Sequence, residues 1–221
     1  MRAIILAAGE GKRLRGITNN PKCMLKINGE TLIKRQLRLL EKVYSSPVIV
    51  VGYQHKTLID HVGSKEFIMN PVWKESNTLI SLLFAISGPP TDTLVLNGDV
   101  VFREDLLDKM VNSDYSACAV QDVDPTEEEV KIKYVGTRVT EIGKHVKGSA
   151  VEAVGVYLFR KPLIRAIRNS CYLVDNPWEL YYEDVVNLYL KNHPMQKVET
   201  TNAVEIDTPE DYERAKIIYG N

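Results

Sequence analysis

Three short runs constrain this chain more than anything else in it: Ala3-Ile4-Ile5-Leu6, Val48-Ile49-Val50-Val51 and Thr93-Leu94-Val95-Leu96. Each is dominated by apolar residues without polar alternation and is followed by turn residues: Gly9, Gly52 and Asn97-Gly98. Runs of this kind are strands buried on both faces, the mark of a parallel sheet covered by helices. Helical patterns lie between them. Leu32, Ile33, Leu37, Leu40 and Val43 recur at helical spacing behind Thr31, a candidate N-cap. Thr78 to Ser87 reads as a helix ended by Gly88-Pro89-Pro90, and Phe67-Ile68-Met69 as a shorter strand. That rhythm predicts a three-layer α/β/α, Rossmann-like architecture with a mixed, mostly parallel sheet. Ligands are expected at the carboxyl ends of its strands.

From about residue 116 the rhythm changes. Val130 to Tyr134 alternates apolar and polar, as does Val139 to Ile142 after a turn containing Gly136, which predicts a small β-hairpin with one wet face. A strand is expected over Val154 to Phe159, with helices around 161–170 and 178–191. Short strands near 196–206 should follow, and Thr208-Pro209 should open a last helix. No repeat or linker interrupts the chain, so its 221 residues are expected to form one domain.

The first strand empties into Ala7-Ala8-Gly9-Glu10-Gly11-Lys12-Arg13-Leu14, with Pro21-Lys22 close behind. Glycines let backbone approach phosphate oxygens, and the N–H groups of such a turn point at the anion. Lys12, Arg13 and Lys22 add positive charge where a triphosphate would lie, so the segment reads as a nucleotide site. It is neither of the common phosphate loops. A Walker A loop needs Ser or Thr where Arg13 stands, and a dinucleotide fingerprint needs a glycine where Leu14 stands.

Composition excludes other classes. The net charge of −1, with no basic tail, gives nucleic-acid binding no electrostatic support. No apolar run reaches the eighteen or so residues of a membrane span. Three widely spaced cysteines indicate neither a disulfide framework nor a zinc site. The first strand begins at once, without a signal peptide, and a cytoplasmic location is expected.

The string Leu6 to Leu14, with Pro21-Lys22-Cys23-Met24 and Gly29-Glu30-Thr31-Leu32-Ile33, resembles the nucleotidyltransferase family that activates sugar phosphates and phospho-alcohols. The family pattern is roughly L-A-A-G-x-G-x-R-[LM], then P-K-x-[ML], then G-x-x-[LI]-[IL]. Within it, the chain looks most like the CTP-dependent enzymes that use phosphocholine, 2-aminoethylphosphonate or inositol-1-phosphate. The resemblance implies a nucleotide-diphospho-sugar transferase fold, with residues 1–115 as a nucleotide-binding half and 116–221 as an acceptor-binding half with a hairpin lid. It also implies CTP and a phosphorylated alcohol or phosphonate as small-molecule substrates, in a monomer or homodimer.

Transfer of a nucleotidyl group needs cations and a divalent metal more than a general base, because the attacking phosphate is already ionised near neutral pH. Mg²⁺ is expected, held by one or two carboxylates and phosphate oxygens. Asp99, behind Gly98 at a strand tip, is the first candidate ligand and Asp207 the second; relatives carry acids at both places. Many relatives have D-x-D at the first, where this chain has Asn97. Asp207-Thr208-Pro209 also makes a good helix start, and Glu205 fits either the site or solvent.

The remaining roles follow the resemblance. Leu6, Ala7, Ala8, Gly9, Glu10 and Gly11 would line the nucleotide, with Lys22 and Arg13 as the catalytic cations and Lys12 either binding or solvated. Asn77 and Ser81, in a stretch resembling E-x-x-N-x-x-S-L, would read the base or simply cap a helix. Lys144, Glu152 and Gly155 match positions lining the acceptor pocket, although Ala150 replaces the usual glycine before Glu152. Tyr182, Glu183 and Asp184 match a [WY]-[YW]-[ED]-D segment that would hold an ammonium group; otherwise they are a packed helix face. Two other functions remain compatible: a sugar-1-phosphate uridylyl-, thymidylyl- or guanylyltransferase, and a non-catalytic nucleotide-binding regulatory module.

Overall fold

The structure, a computed structural model, describes residues 1–43, 46–123, 129–148 and 151–220. Strand β1 (Arg2–Ala7) leads to the short pair β2 (Lys26–Ile27) and β3 (Glu30–Thr31), then α1 (Leu32–Glu41), β4 (Val48–Val51) and α2 (His55–Val62). Next come β5 (Glu66–Met69), α3 (Thr78–Ala85), β6 (Thr93–Asn97), β7 (Val100–Val101) and α4 (Asp105–Val111). The second half holds β8 (Ser116–Asp122), β9 (Lys131–Val135), β10 (Arg138–Gly143), β11 (Val151–Phe159) and α5 (Lys161–Ser170). It closes with α6 (Tyr182–Tyr189), β12 (Met195–Glu199), β13 (Val204–Glu205) and α7 (Pro209–Tyr219).

One sheet in the order β5-β4-β1-β6-β11-β8-β12-β10-β9 carries the fold. The first four strands are mutually parallel, as the apolar runs require. Beyond β6 the expectation of a mostly parallel sheet fails: only β8 and β12 pair in parallel there. The segments between β8 and β9 and between β10 and β11 are too short for the crossover of a dozen or more residues that a parallel neighbour needs.

The hairpin is also no free lid. β10 pairs with β12 at Arg138 and Gln196, and β9 pairs with β11 at Lys131 and Glu152. The ladders of β11, β8, β12, β10 and β9 therefore close into a circuit, with Ile132, Val139 and Ile142 buried in the main core. Alternation of apolar and polar residues reported the wet face only in part, since Lys131 is buried and Tyr134 exposed on β9, and it carries no information on what the edges pair with.

Alternate residues of the central strands feed two cores. Ile4, Leu6 and Val95 pack with α3, α5 and α6 through Leu79, Leu82, Ile164 and Val185. Ala3, Ile5, Leu94 and Leu96 pack with α1, α2 and α4 through Ile33, Leu37, Leu58 and Leu106. A third cluster, Leu14, Leu25, Ile27, Val101, Val204, Ile206 and Ala215, fastens α7 and β13 beside the glycine loop. That cluster brings the chain's two ends together.

Three local expectations are corrected. Thr31 precedes α1 without a side-chain cap, and its hydroxyl instead meets His61 Nε2 at 3.0 Å. Helix α6 starts at Tyr182, not 178, because the preceding residues run extended across the start of α3: Trp178 and Leu180 carbonyls accept from the Asn77 and Leu79 amides. Elements α2, α4 and β8 were not expected at all. α2 buries only Leu58, and β8 is built largely of small residues, so neither shows strong periodicity.

Candidate active site

β1 and β6 are parallel neighbours with Leu6 opposite Asn97, so both end on the same edge of the sheet. The Gly98 amide donates to the Leu6 carbonyl at 2.9 Å, which fixes Asp99 beside the glycine loop. Gly11 adopts φ 65°, and a side chain there would also press on Lys22, 3.0 Å from its Cβ. The loop is thus folded around Lys22, as only glycine permits. The second acid arrives from the other end of the chain. β13 pairs antiparallel with β7, and the Ile206 amide donates to the Asp99 carbonyl at 3.1 Å, setting Asp207 opposite.

A line of alternating charge results. The Lys22 ammonium pairs with Asp99 and, at 2.5 Å, with Asp207 Oδ1. Arg13 Nη2 holds Asp207 Oδ2 at 3.1 Å. Burial alone would push the Asp207 carboxyl up, but Lys22 and then Arg13 hold it below the usual carboxylate range. Burial likewise opposes charge on Lys22, and Asp99 and Asp207 overrule it, so its affinity for a proton is raised. Glu205 lies half-buried beside this pair. Desolvation, then the neighbouring Asp99 and Asp207 carboxylates, push its carboxyl well up.

Asn97 mediates between the acids and the core. Its Nδ2 donates to Glu205 Oε1 at 3.0 Å, and its Oδ1 accepts from the Tyr182 hydroxyl at 2.9 Å. A carboxylate at position 97 could make only the second bond and would repel Glu205. Gly155, at φ 67°, lets β11 pass against Asn97, where a Cβ would stand 2.9 Å from Nδ2.

These residues line a cavity of about 500 Å³. Leu6, Ala7, Ala8, Gly9, Gly11, Arg13, Lys22, Asn77, Ser81, Gly98, Asp99 and Asp207 face it from the nucleotide half and its C-terminal strap, and Lys144, Glu152, Gly155 and Glu183 from the other half. Glu10 and Lys12 do not line it. Lys12 is 69% exposed and stands 3.8 Å from Glu10, which also pairs with Arg15. Asn77 caps α3, its Oδ1 accepting from the Thr78 amide at 2.8 Å, and Ser81 accepts from Asn70 at 3.0 Å. Lys144 lies over the Tyr181 ring at 4.7 Å.

The reading of Tyr182 and Asp184 as an ammonium cage is corrected. The Tyr182 ring is wholly buried against Tyr157 and Phe159, out of reach of any ligand. Asp184 folds back to accept from the Tyr181 amide at 2.9 Å, completing a capping box. Ala150 lies outside the described residues.

Trp73, Glu129, Tyr157, Asp211 and Arg214 also line the cavity and carried no expectation as site residues. The signal for Asp211 was the acidic run after Ile206. Trp73 had none: it arrives by packing so closely on Gly52 that a Cβ there would lie 2.6 Å from its own.

A hard divalent cation fits this donor set. Asp99 Oδ1 is buried with no hydrogen-bond partner among the described residues, and a carboxylate oxygen is a ligand of the type Mg²⁺ takes. Among the described residues no three His, Cys, Asp or Glu side chains converge as a complete metal cage. Phosphate oxygens and water would supply the remaining ligands, as is usual for Mg²⁺.

Glu183 is a cavity carboxyl shielded in the core. Burial pushes it up to about 7, against its own backbone amide and the Tyr157 and Tyr182 side chains. A carboxyl raised in the fold contributes stability below its unfolded value near 4.3, lost as pH rises through about 7. Glu183→Gln should therefore flatten the fall in melting temperature between pH 5 and pH 8. Parallel slopes for the two proteins would show that Glu183 is charged throughout.

Residues 3–171 match the model of the MobA-like NTP transferase domain. The chain belongs to that family. The bifunctional protein GlmU of Methanococcus maripaludis is 37% identical over 131 residues, 58% of this chain but only 31% of that protein. The chain thus aligns with about a third of the length of such relatives. The choline-phosphate cytidylyltransferase of Streptococcus pneumoniae is 27% identical, over 100% of this chain and 99% of that one. The solved CTP:phosphocholine cytidylyltransferase LicC of that organism superposes with a TM-score of 0.82 at 25% identity, covering 98% of both chains. The inositol-1-phosphate CTP transferase of T. maritima shares the fold, with a TM-score of 0.80 at 23% identity over 99% and 96%. No helix in the described residues is long and apolar enough to cross a membrane.

Proposed function

We propose that this family member is a Mg²⁺-dependent cytidylyltransferase, joining CTP to a small phosphorylated alcohol or phosphonate with release of pyrophosphate. The observation that carries the reading is the convergence of Arg13, Lys22, Asp99 and Asp207 at the mouth of the glycine loop. The end-to-end match to a choline-phosphate cytidylyltransferase supports the substrate class.

In this reading the triphosphate lies along Gly9–Arg13. Lys22 neutralises the α-phosphate and Arg13 grips the β- and γ-phosphates with its planar fork. Asp99 and Asp207 hold Mg²⁺, which when bound withdraws charge from the phosphate oxygens and eases departure of pyrophosphate. An oxygen of the acceptor's phosphate or phosphonate attacks the α-phosphorus; the new P–O bond forms as the bond to the β-phosphate oxygen breaks. The acceptor is already ionised, so Lys22 and Lys144 serve to cancel its charge, and no base is required. Asn77 and Ser81, with Trp73, bound the base. The nucleotide forms the floor on which the acceptor rests, so CTP binds first.

The far end of the cavity carries the carboxyl groups of Glu129, Glu152 and Glu183. Such a surface repels a second phosphate and favours an amine-bearing acceptor. The test is pyrophosphate release with Mg²⁺, crossing CTP, UTP, ATP, GTP and dTTP with phosphocholine, phosphoethanolamine, 2-aminoethylphosphonate, inositol-1-phosphate and glucose-1-phosphate. Turnover with CTP and an amine-bearing acceptor is expected. Turnover confined to UTP or dTTP with glucose-1-phosphate would overturn the substrate class and keep the phosphate site. Nucleotide binding with no turnover of any pair would make the chain a binding module.

A further inference from the structure

Glu152 owes its place to a residue that does not line the cavity. It stands on β11 directly opposite Gln121 of β8, so the two side chains share one face of the sheet. Gln121 Nε2 donates to Glu152 Oε2 at 2.9 Å. Its other donated bond goes to the Ala203 carbonyl at 2.9 Å, and its Oε1 accepts from the Ala203 amide at 3.1 Å. Both residues are buried, Gln121 7% and Glu152 6% exposed.

The amide of Gln121 can point only one way. A flipped amide would set its oxygen against the Ala203 carbonyl and the Glu152 carboxylate, and its NH₂ against the Ala203 N–H, losing all three bonds. The backbone just ahead of β13 therefore dictates which end of Gln121 faces Glu152. The end presented is a donor, which suits a carboxylate.

The surroundings of Glu152 work against its charge. Burial raises its carboxyl, with Gln121 opposing; Glu129 and Asp211 add to the rise and Arg214 opposes it. Lys131 sits across the β9–β11 pairing, its Nζ donating to the Glu129 carbonyl at 2.9 Å.

We propose that Gln121 is a positioning residue: it fixes the Glu152 carboxylate at the acceptor end of the cavity, where that carboxylate receives a cationic or hydrogen-bond-donating group of the acceptor. This rests on the cytidylyltransferase reading for the identity of the acceptor, and on geometry alone for the Gln121–Glu152 couple. Gln121 never meets substrate. The acidic segment beyond Ala203 has its own anchors, the β7–β13 ladder and the Ile206–Asp99 backbone bond, so the metal-binding acids keep their places when Gln121 is changed.

The experiment uses the full chain and the acceptor that the wild type turns over. Gln121→Met, which keeps volume and removes all three bonds, should raise the KM for acceptor about ten- to hundredfold, the effect of one hydrogen bond to a charged group. kcat and the KM for CTP should stay within about twofold. Glu152→Gln should raise the acceptor KM as much, and the double variant should be no worse than Glu152→Gln alone. A substrate-free arm follows the Glu152 carboxyl by ¹³C NMR titration; loss of its donor should shift the titration to higher pH.

An unchanged acceptor KM overturns the proposal. So does a parallel loss in kcat, both KM values and melting temperature, which is the behaviour of a mere brace. If the wild type turns over no acceptor, it is the functional reading that fails; the titration still decides the couple, and an unmoved Glu152 refutes it. Should Gln121→Met not fold, Gln121→Asn, one methylene too short to span both partners, is read in the same way.

Discussion

Asp99→Asn is expected to lower kcat on the order of a thousandfold while leaving the fold and metal-free nucleotide binding intact. Asp99 holds its place through backbone, not side chain: its carbonyl accepts from Ile206, and Gly98 is bonded to Leu6. Its Oδ1 is a buried acceptor without a hydrogen-bond partner among the described residues. An amide of the same shape costs little structurally, since Lys22 keeps its bond to Asp207. What is lost is half of the anionic pair that would hold Mg²⁺, and a metal's charge stabilisation is worth several kcal/mol of barrier, or about three decades in rate. Two measurements decide it. Pyrophosphate release should collapse, and calorimetric titration of CTP without metal should match the wild type. Unchanged turnover would remove Asp99 from the chemistry.

The second large effect is expected at Lys22, and it reaches stability as well as rate. Lys22→Met leaves Asp99, Asp207 and the half-buried Glu205 together without the ammonium between them. Removing one partner from a partly buried ion pair costs up to about 3 kcal/mol, which for a chain of this size lowers the melting temperature by up to roughly 6–12 °C. Turnover should fall with it, because Lys22 is the cation that would face the α-phosphate, while Arg13 would be engaged with the β- and γ-phosphates. The pH dependence has a definite sign. Asp207 is held below the usual carboxylate range, so its contribution is present above the unfolded value near 3.9 and lost as pH falls through the folded one. The gap between wild type and variant should thus narrow on acidification below pH 4. A gap that persists there would mean that Lys22 stabilises by packing alone. Mg²⁺ should raise the variant's melting temperature more than the wild type's, since it would replace the missing charge.

How much was legible depended on whether a feature is local. The apolar runs at 3–6, 48–51 and 93–96 marked the strands correctly, because burial on both faces leaves a composition that nothing else produces. The helix at 161–170 was readable from its spacing, and α7 from Thr208 and Pro209. α2 escaped notice because a helix lying half in solvent needs few apolar residues. The Tyr-Tyr-Glu-Asp segment was readable as chemistry and only partly as geometry, since Tyr181 and Glu183 line the cavity and Tyr182 and Asp184 do not. Its four residues are a capping residue's partner, a buried ring, a buried carboxyl and a cap, and no sequence pattern tells which face of a helix a sheet will cover.

Sequence by itself determined the class of layered α/β fold, the glycine turn of Gly9–Arg13 behind the first strand, and the presence of Asp99 at a strand tip on the same edge. These follow from short-range rules of periodicity, turn chemistry and strand ends. Tertiary structure alone decided that Asp207 and Glu205 stand beside Asp99, that Lys22 is shared between two carboxylates, and that the second half closes into a circuit of strands. It alone showed Gln121 behind Glu152. Each depends on contacts between residues tens to nearly two hundred positions apart. Such contacts are set by which faces bury together and which strand edges find partners, and no window along the chain contains both sides of them.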